Sequence, residues 1–201
     1  TVSGTFNYAT GWAPPYDADD FVSENYTLRL RPNANPVPPV GTELSPTIVF
    51  KVRPKFTSWV SPTPGAIWYC GDGARNIQWT SRSALKASTG LKPKVSVKYN
   101  VNGGLYTPVT PSSTGVDNEN GDNTFVWPEA NIPTDVRDAR VRIKVSFDDY
   151  PNDVFITSEE FALYPKVNIT SPANNEAVSV GAYNLKWNFT GTTLDKVRLY
   201  F

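Results

Sequence analysis

The chain contains no histidine and no methionine, and its single cysteine is Cys70. Without histidine a Ser–His–Asp triad is excluded, and the commonest general base and metal ligand are missing. One cysteine rules out an internal disulfide. Charge is scarce as well: 19% of residues are charged, and 19 basic against 19 acidic side chains leave a formal net charge of zero. Nucleic acid and anionic membrane surfaces both select a basic excess, so neither is expected as a partner. No apolar run approaches the length of a membrane span, and Thr1 opens no signal peptide. The missing initiator methionine leads us to expect a processed chain or a piece of a longer one, as a mature secreted protein would be.

What is present points to β structure. The residues are 39% hydrophobic and 13% aromatic, enough for a substantial core. The 18 prolines and 13 glycines lie scattered between apolar segments, as in a loop-rich β protein and not a disordered one. Lys94–Val101 places Val95, Val97 and Tyr99 on one face and Lys94, Ser96 and Lys98 on the other. Ala139–Phe147 alternates in the same way, Val141, Ile143 and Val145 against Arg140, Arg142 and Lys144. Tyr26–Pro32 and Asp195–Phe201 follow the same rule, which marks half-buried strands. Only Ser81–Ser88 suggests a helical turn. The fold class is therefore all-β, built as antiparallel sandwiches.

The chain also repeats itself. "SPTPGAIWYCGDGARNIQW" (Ser61–Trp79) returns as "SPANNEAVSVGAYNLKW" (Ser171–Trp187), about 110 residues later. Phe6–Pro32 lines up with Asn123–Phe147, and Thr47–Lys55 with Ser158–Lys166, at similar offsets. That period is the size of one immunoglobulin-like sandwich. The sequence thus divides into the C-terminal half of one unit, or a small β domain (1–55), a complete unit (56–165), and the N-terminal half of a further unit (166–201). Val52–Pro62 reads as a linker between neighbours.

The pattern resembles the Ig-like repeats of extracellular surface proteins, among them Ser/Thr-rich, GPI-anchored cell-wall proteins. The matching residues are Ser61, Pro62, Ile77, Trp79, the hairpin Asn100–Gly104, Trp127, Pro128, Arg142, Val145, Ser158 and Phe161. The resemblance implies tandem immunoglobulin-like (fibronectin-III-like) antiparallel β-sandwiches on a cell surface. It is weak for function, because this fold hosts many roles. The cysteine in "WYCGDGA" departs from the pattern.

Trp12, Trp79, Trp127 and Trp187 read as core tryptophans, since a buried Trp is a usual pillar of a sandwich core. Trp59, Trp68 and Tyr69 lie near the start of the complete unit. They read as interdomain aromatics or as a stacking platform for sugars. Asn25, Asn168 and Asn188 each open an Asn-X-Thr sequon, a candidate N-glycosylation site in a secreted chain. Thr107–Gly115 is rich in hydroxyls, an ordinary loop or an O-glycosylation patch. The acidic turns Asp17–Asp20, Asp117–Asp122 and Asp148–Asp153 read as solvated turns without the spacing of a calcium loop, with interdomain calcium as the minority alternative. No other cofactor is indicated, and no catalytic residue: the acidic residues all fall in turns that the repeat accounts for.

These readings converge on a non-catalytic extracellular structural protein, a spacer, fibre or surface-coat component. Its partners would be adjacent domains or neighbouring copies of itself, with glycans on the exterior and no membrane insertion. The two half-units also admit head-to-tail association. The alternative is a carbohydrate-binding or adhesion module of a secreted protein, which would need Trp59, Trp68 and Tyr69 on one accessible face.

Overall fold

The computed structural model describes residues 26–28, 48–50, 53–82, 91–134, 139–191 and 197–200. Among these the regular structure is all β apart from one 3-10 turn at Glu129–Asn131. No helix among the described residues is long and apolar enough to cross a membrane.

The leading segment contributes an antiparallel pair, β1 (Tyr26–Leu28) and β2 (Ile48–Phe50), with Tyr26 opposite Phe50. Next comes a three-stranded sheet of β3 (Lys55–Ser61), β5 (Arg75–Arg82) and β9 (Gly121–Trp127), in the order β3-β5-β9. Ile77, Trp79 and Ser81 alternate inward along β5, as a half-buried strand requires. The facing sheet runs β4 (Ile67–Tyr69), β12 (Phe161–Tyr164), β10 (Ala139–Phe147), β6 (Lys94–Val101), β7 (Thr107–Pro108). Two short strands extend it: β8 (Val116–Asp117) pairs with β6, and β11 (Phe155–Thr157) pairs with β10. All pairings in this sheet are antiparallel except β4 with β12, which is parallel.

Long alternating strands are paired most extensively. β6 and β10 hold an unbroken register from Val95 opposite Phe147 to Val101 opposite Val141. Their inward residues Val95, Val97, Val141, Ile143 and Val145 are buried, and meet Ile77, Trp79 and Trp127 of the other sheet in one core cluster with Trp68, Phe161 and Leu163. Each such side chain contributes about 1.5–3 kcal/mol when fully buried. The "NVNGG" hairpin turns on Asn102 (φ 50°) and Gly103 (φ 75°), with Gly104 N–H donating to the Val101 carbonyl at 2.9 Å. Two consecutive positive φ values are what a tight turn matched to strand twist requires, and Asn-Gly supplies them.

The trailing segment adds a second antiparallel pair, β13 (Lys166–Ser171) and β14 (Lys186–Thr190). Its register reproduces that of β3 with β5. Phe56↔Ser81, Ser58↔Thr80, Trp59↔Trp79 and Ser61↔Gln78 in the first pair correspond to Val167↔Phe189, Asn168↔Asn188, Ile169↔Trp187 and Ser171↔Lys186 in the second. Both pairs carry a register shift just before the Ser that precedes proline. The one offset is Thr57, an extra residue bulged into β3.

Three expectations change here. Val52–Pro62 is not a linker: most of it is β3, because Phe56 and Trp59 pack against the core and hold the segment in the sheet. The connection between β12 and β13 is likewise a single residue, Pro165. Val197–Tyr200 carries the alternation of a strand but forms none. Its counterpart β6 is held by β10, and no such neighbour stands beside Val197–Tyr200 among the described residues. In Ser81–Ser88, Ser81 and Arg82 belong to β5, and the rest lies outside the described residues.

Candidate functional site

The segment "IWYCGDG" builds the contact between the two facing sheets and the β13–β14 pair. β4 has three residues, and they alternate: Trp68 points inward, Ile67 and Tyr69 outward. Trp68 packs on Phe161 (ring centroids 4.6 Å) and edge-on to Trp127 (6.3 Å). Tyr69 lies beside Tyr164 of the neighbouring strand (6.2 Å). Cys70 turns inward again, fully buried, its thiol donating to the Pro133 carbonyl at 3.2 Å. Its backbone N–H donates to the Tyr164 carbonyl at 2.9 Å, which extends the parallel ladder by one step.

The chain then bends on Gly71 (φ 83°) and Gly73 (φ 89°), conformations that L side chains rarely adopt. Gly71 has a second constraint: a Cβ there would stand 2.9 Å from Thr190 Oγ1, at the end of β14. Gly191 mirrors it, with a Cβ position 2.9 Å from the Pro165 side chain and 3.0 Å from the Thr134 carbonyl oxygen. The contact is thus close-packed backbone on both sides.

Between the glycines sits Asp72. Its carboxylate accepts a hydrogen bond from the Lys166 ammonium, the first residue of β13, and another from Arg75 at 3.1 Å. Arg75 in turn lies over the Trp68 ring, 5.7 Å from its centroid. The Lys166 hydrogen bond, and after it the charges of Lys166 and Arg75, hold the Asp72 carboxyl below its ordinary value of 3.8 against a partial desolvation. At the other end of the unit, Arg53 pairs with Asp153 at 2.7 Å and lies over the Tyr150 ring at 4.7 Å.

The sequence-derived candidates are distributed as follows. Trp59 is half-buried against the core, with its indole N–H bonded to the Pro62 carbonyl at 2.9 Å. Trp68 is buried and only Tyr69 is exposed, so these three aromatics do not share an accessible face. A three-residue strand must place its middle side chain opposite to its neighbours. Trp79 and Trp127 are buried in the core, whereas Trp187 is 42% exposed because no sheet opposes its face among the described residues. Trp12 and Asn25 lie outside the described residues. Asn168 and Asn188 are exposed and directly opposite each other across β13 and β14.

The acidic turns act as ties. Asp117 pairs with Lys94, Glu119 with Lys92, and Asp148 accepts from Ser96 Oγ and from the Gly115 N–H. No group of three metal-ligating side chains occurs among the described residues, and Asp17–Asp20 lies outside them. Thr110 and Ser113 of the hydroxyl-rich loop are buried, Ser113 Oγ donating to the Val97 and Thr110 carbonyls. Sequence reasoning missed Asp72, Lys166, Thr190 and Gly191. The only available signal was the glycine pair around Asp72, since Lys166 is 94 residues away.

A scan against protein-family models finds no match, and a search of curated proteins finds no similar chain.

Proposed function

We propose that this chain is a non-catalytic structural repeat protein of the cell exterior, in which tandem immunoglobulin-like sandwiches act as a stiff spacer. The observation that carries the reading is the connection at Pro165. One residue separates β12 from β13, and the contact is closed by Gly71 on Thr190, Gly191 on Pro165, and Asp72 on Lys166. A flexible tether between independent modules is built from longer Gly/Ser-rich or Pro-rich segments. Here there is no length to flex.

The sandwich assignment rests on strand order. β3-β5-β9 facing β12-β10-β6 follows the A-B-E and G-F-C order of an immunoglobulin domain, with β4 passing to the second sheet alongside β12. The tandem arrangement rests on the shared register of β3–β5 and β13–β14. The pairing of Tyr26 with Phe50 fits the same scheme, since it parallels Val141 opposite Phe161. The partners on this reading are adjacent units or neighbouring copies. A sugar-binding role has less support, because Trp68 serves the core.

Small-angle X-ray scattering tests the proposal. The wild-type chain should give one narrow distance distribution, and inserting Gly-Ser-Gly-Ser after Pro165 should broaden it. If the two distributions coincide, the connection is already loose and the spacer reading fails.

A further inference from the structure

Two of the three sequons, Asn168-Ile-Thr and Asn188-Phe-Thr, lie on different strands about 20 residues apart. Folding brings their asparagines into direct register, Asn168 opposite Asn188, and leaves both exposed. Alternation puts Val167, Ile169, Trp187 and Phe189 on the other face of the same pair. Each Asn therefore stands on the polar face, away from the apolar surface available for packing.

The two-sheet unit shows what becomes of this position when a unit is complete. The corresponding pair is Ser58 and Thr80, whose hydroxyls hydrogen-bond to each other on the outer, exposed side of β3 and β5. A substituent at Asn168 or Asn188 therefore projects to solvent whatever covers the opposite face.

We infer that Asn168 and Asn188 form one shared N-glycan acceptor position, carrying a single oligosaccharide per hairpin in the folded chain. The inference rests on the extracellular reading above. The donor is a lipid-pyrophosphate-linked oligosaccharide. The Asn side-chain nitrogen forms a bond to the anomeric carbon of the first sugar, the bond from that carbon to the pyrophosphate oxygen breaks, and the amide proton leaves with the lipid pyrophosphate. Directly opposed residues hold their Cβ atoms about 4.5–5.5 Å apart. A chain modified at both must seat two branched substituents side by side before β13 and β14 can close, so that species is depleted from the folded population.

The experiment is expression of the full chain behind a cleavable secretory leader in a eukaryotic cell, with intact mass and glycopeptide mapping of the folded product. The expected result is sugar at Asn168 or at Asn188, never at both on one molecule. N168Q and N188Q should each retain one hairpin glycan. N168Q/N188Q should have none and keep the same melting transition. Two sugar chains on one hairpin, or a folded secreted product unmodified at both positions, overturns the inference. Scattering on unglycosylated protein reads the Pro165 connection independently, so loss of the glycan and loss of the spacer role are separable results.

Discussion

Trp79 donates its indole N–H to the side-chain oxygen of Asn118, 2.9 Å away and 39 residues further along, with both residues buried. Asn118 passes the bonding on: its amide donates to Ser81 Oγ at 2.8 Å and to the Glu119 carbonyl at 3.0 Å. Asn123 closes the same turn, accepting from the Glu119 N–H at 2.7 Å. The acidic-looking segment Asp117–Asp122 is thus pinned to the core by Asn118 and by the adjoining Asn123. Asn118→Ala should destabilise the chain by about 1–3 kcal/mol, because a buried indole N–H loses its acceptor. Urea denaturation followed by tryptophan fluorescence measures this, and an unchanged midpoint would show the network to be dispensable.

Trp79 and Trp187 occupy the same register position in the two strand pairs but opposite environments. Trp79→Ala should cost about 3–5 kcal/mol, the range for truncating a fully packed large aromatic. Trp187→Ala, at an exposed position, should cost no more than about 0.5 kcal/mol. A large loss at Trp187 would mean that its face is covered in solution.

The contact of Asp72 with Lys166 should be pH-dependent. Its folded pKa is depressed below 3.8, so its contribution is present above that value and is lost as the pH falls through the folded one. Wild-type and D72N chains should therefore differ in melting temperature at neutral pH and converge well below pH 4, where the carboxyl is protonated in both states. Molar salt should also shrink the difference, because the ion pair is partly solvated. A gap between the two proteins that is constant with pH would assign the effect of D72N to packing.

Gly191→Ala should destabilise by about 1–3 kcal/mol, since it combines a φ of 122° with a Cβ pressed against Pro165 and the Thr134 carbonyl oxygen. Gly121→Ala is the control: its φ is 103° but nothing stands within 4 Å of the new carbon. The difference between the two variants in thermal melts isolates the crowding at the unit contact. Equal losses would mean that backbone conformation alone sets the penalty.

The core strands were readable from residue types because one face of each is buried, as Lys94–Val101 and Ala139–Phe147 illustrate. Alternation announces only that a strand has two faces, not that it has neighbours. Among the described residues, Val197–Tyr200 has the same pattern without a ladder, and Trp187 the same motif without an opposing sheet. Which side Trp68 and Tyr69 would take was not legible either, because three residues show no periodicity until β12 fixes their orientation. Asp72 and Lys166 are joined by the fold alone, across a separation no local pattern spans.

On the spacer reading proposed above, the parallel pairing of β4 with β12 sets how a load along the chain is borne. Tension drawn in through β3 and out through Lys166 pulls β4 and β12 in opposite directions along their common axis. Ala162 opposite Ile67, Leu163 opposite Trp68 and Tyr164 opposite Tyr69 are then sheared together, along with the bonds from the Ala162 N–H to Ala66 and from the Cys70 N–H to Tyr164. A hairpin pulled from its open end parts one rung at a time. On that reading these strands are loaded across all their rungs together, so the pairing resists a stretch as a block.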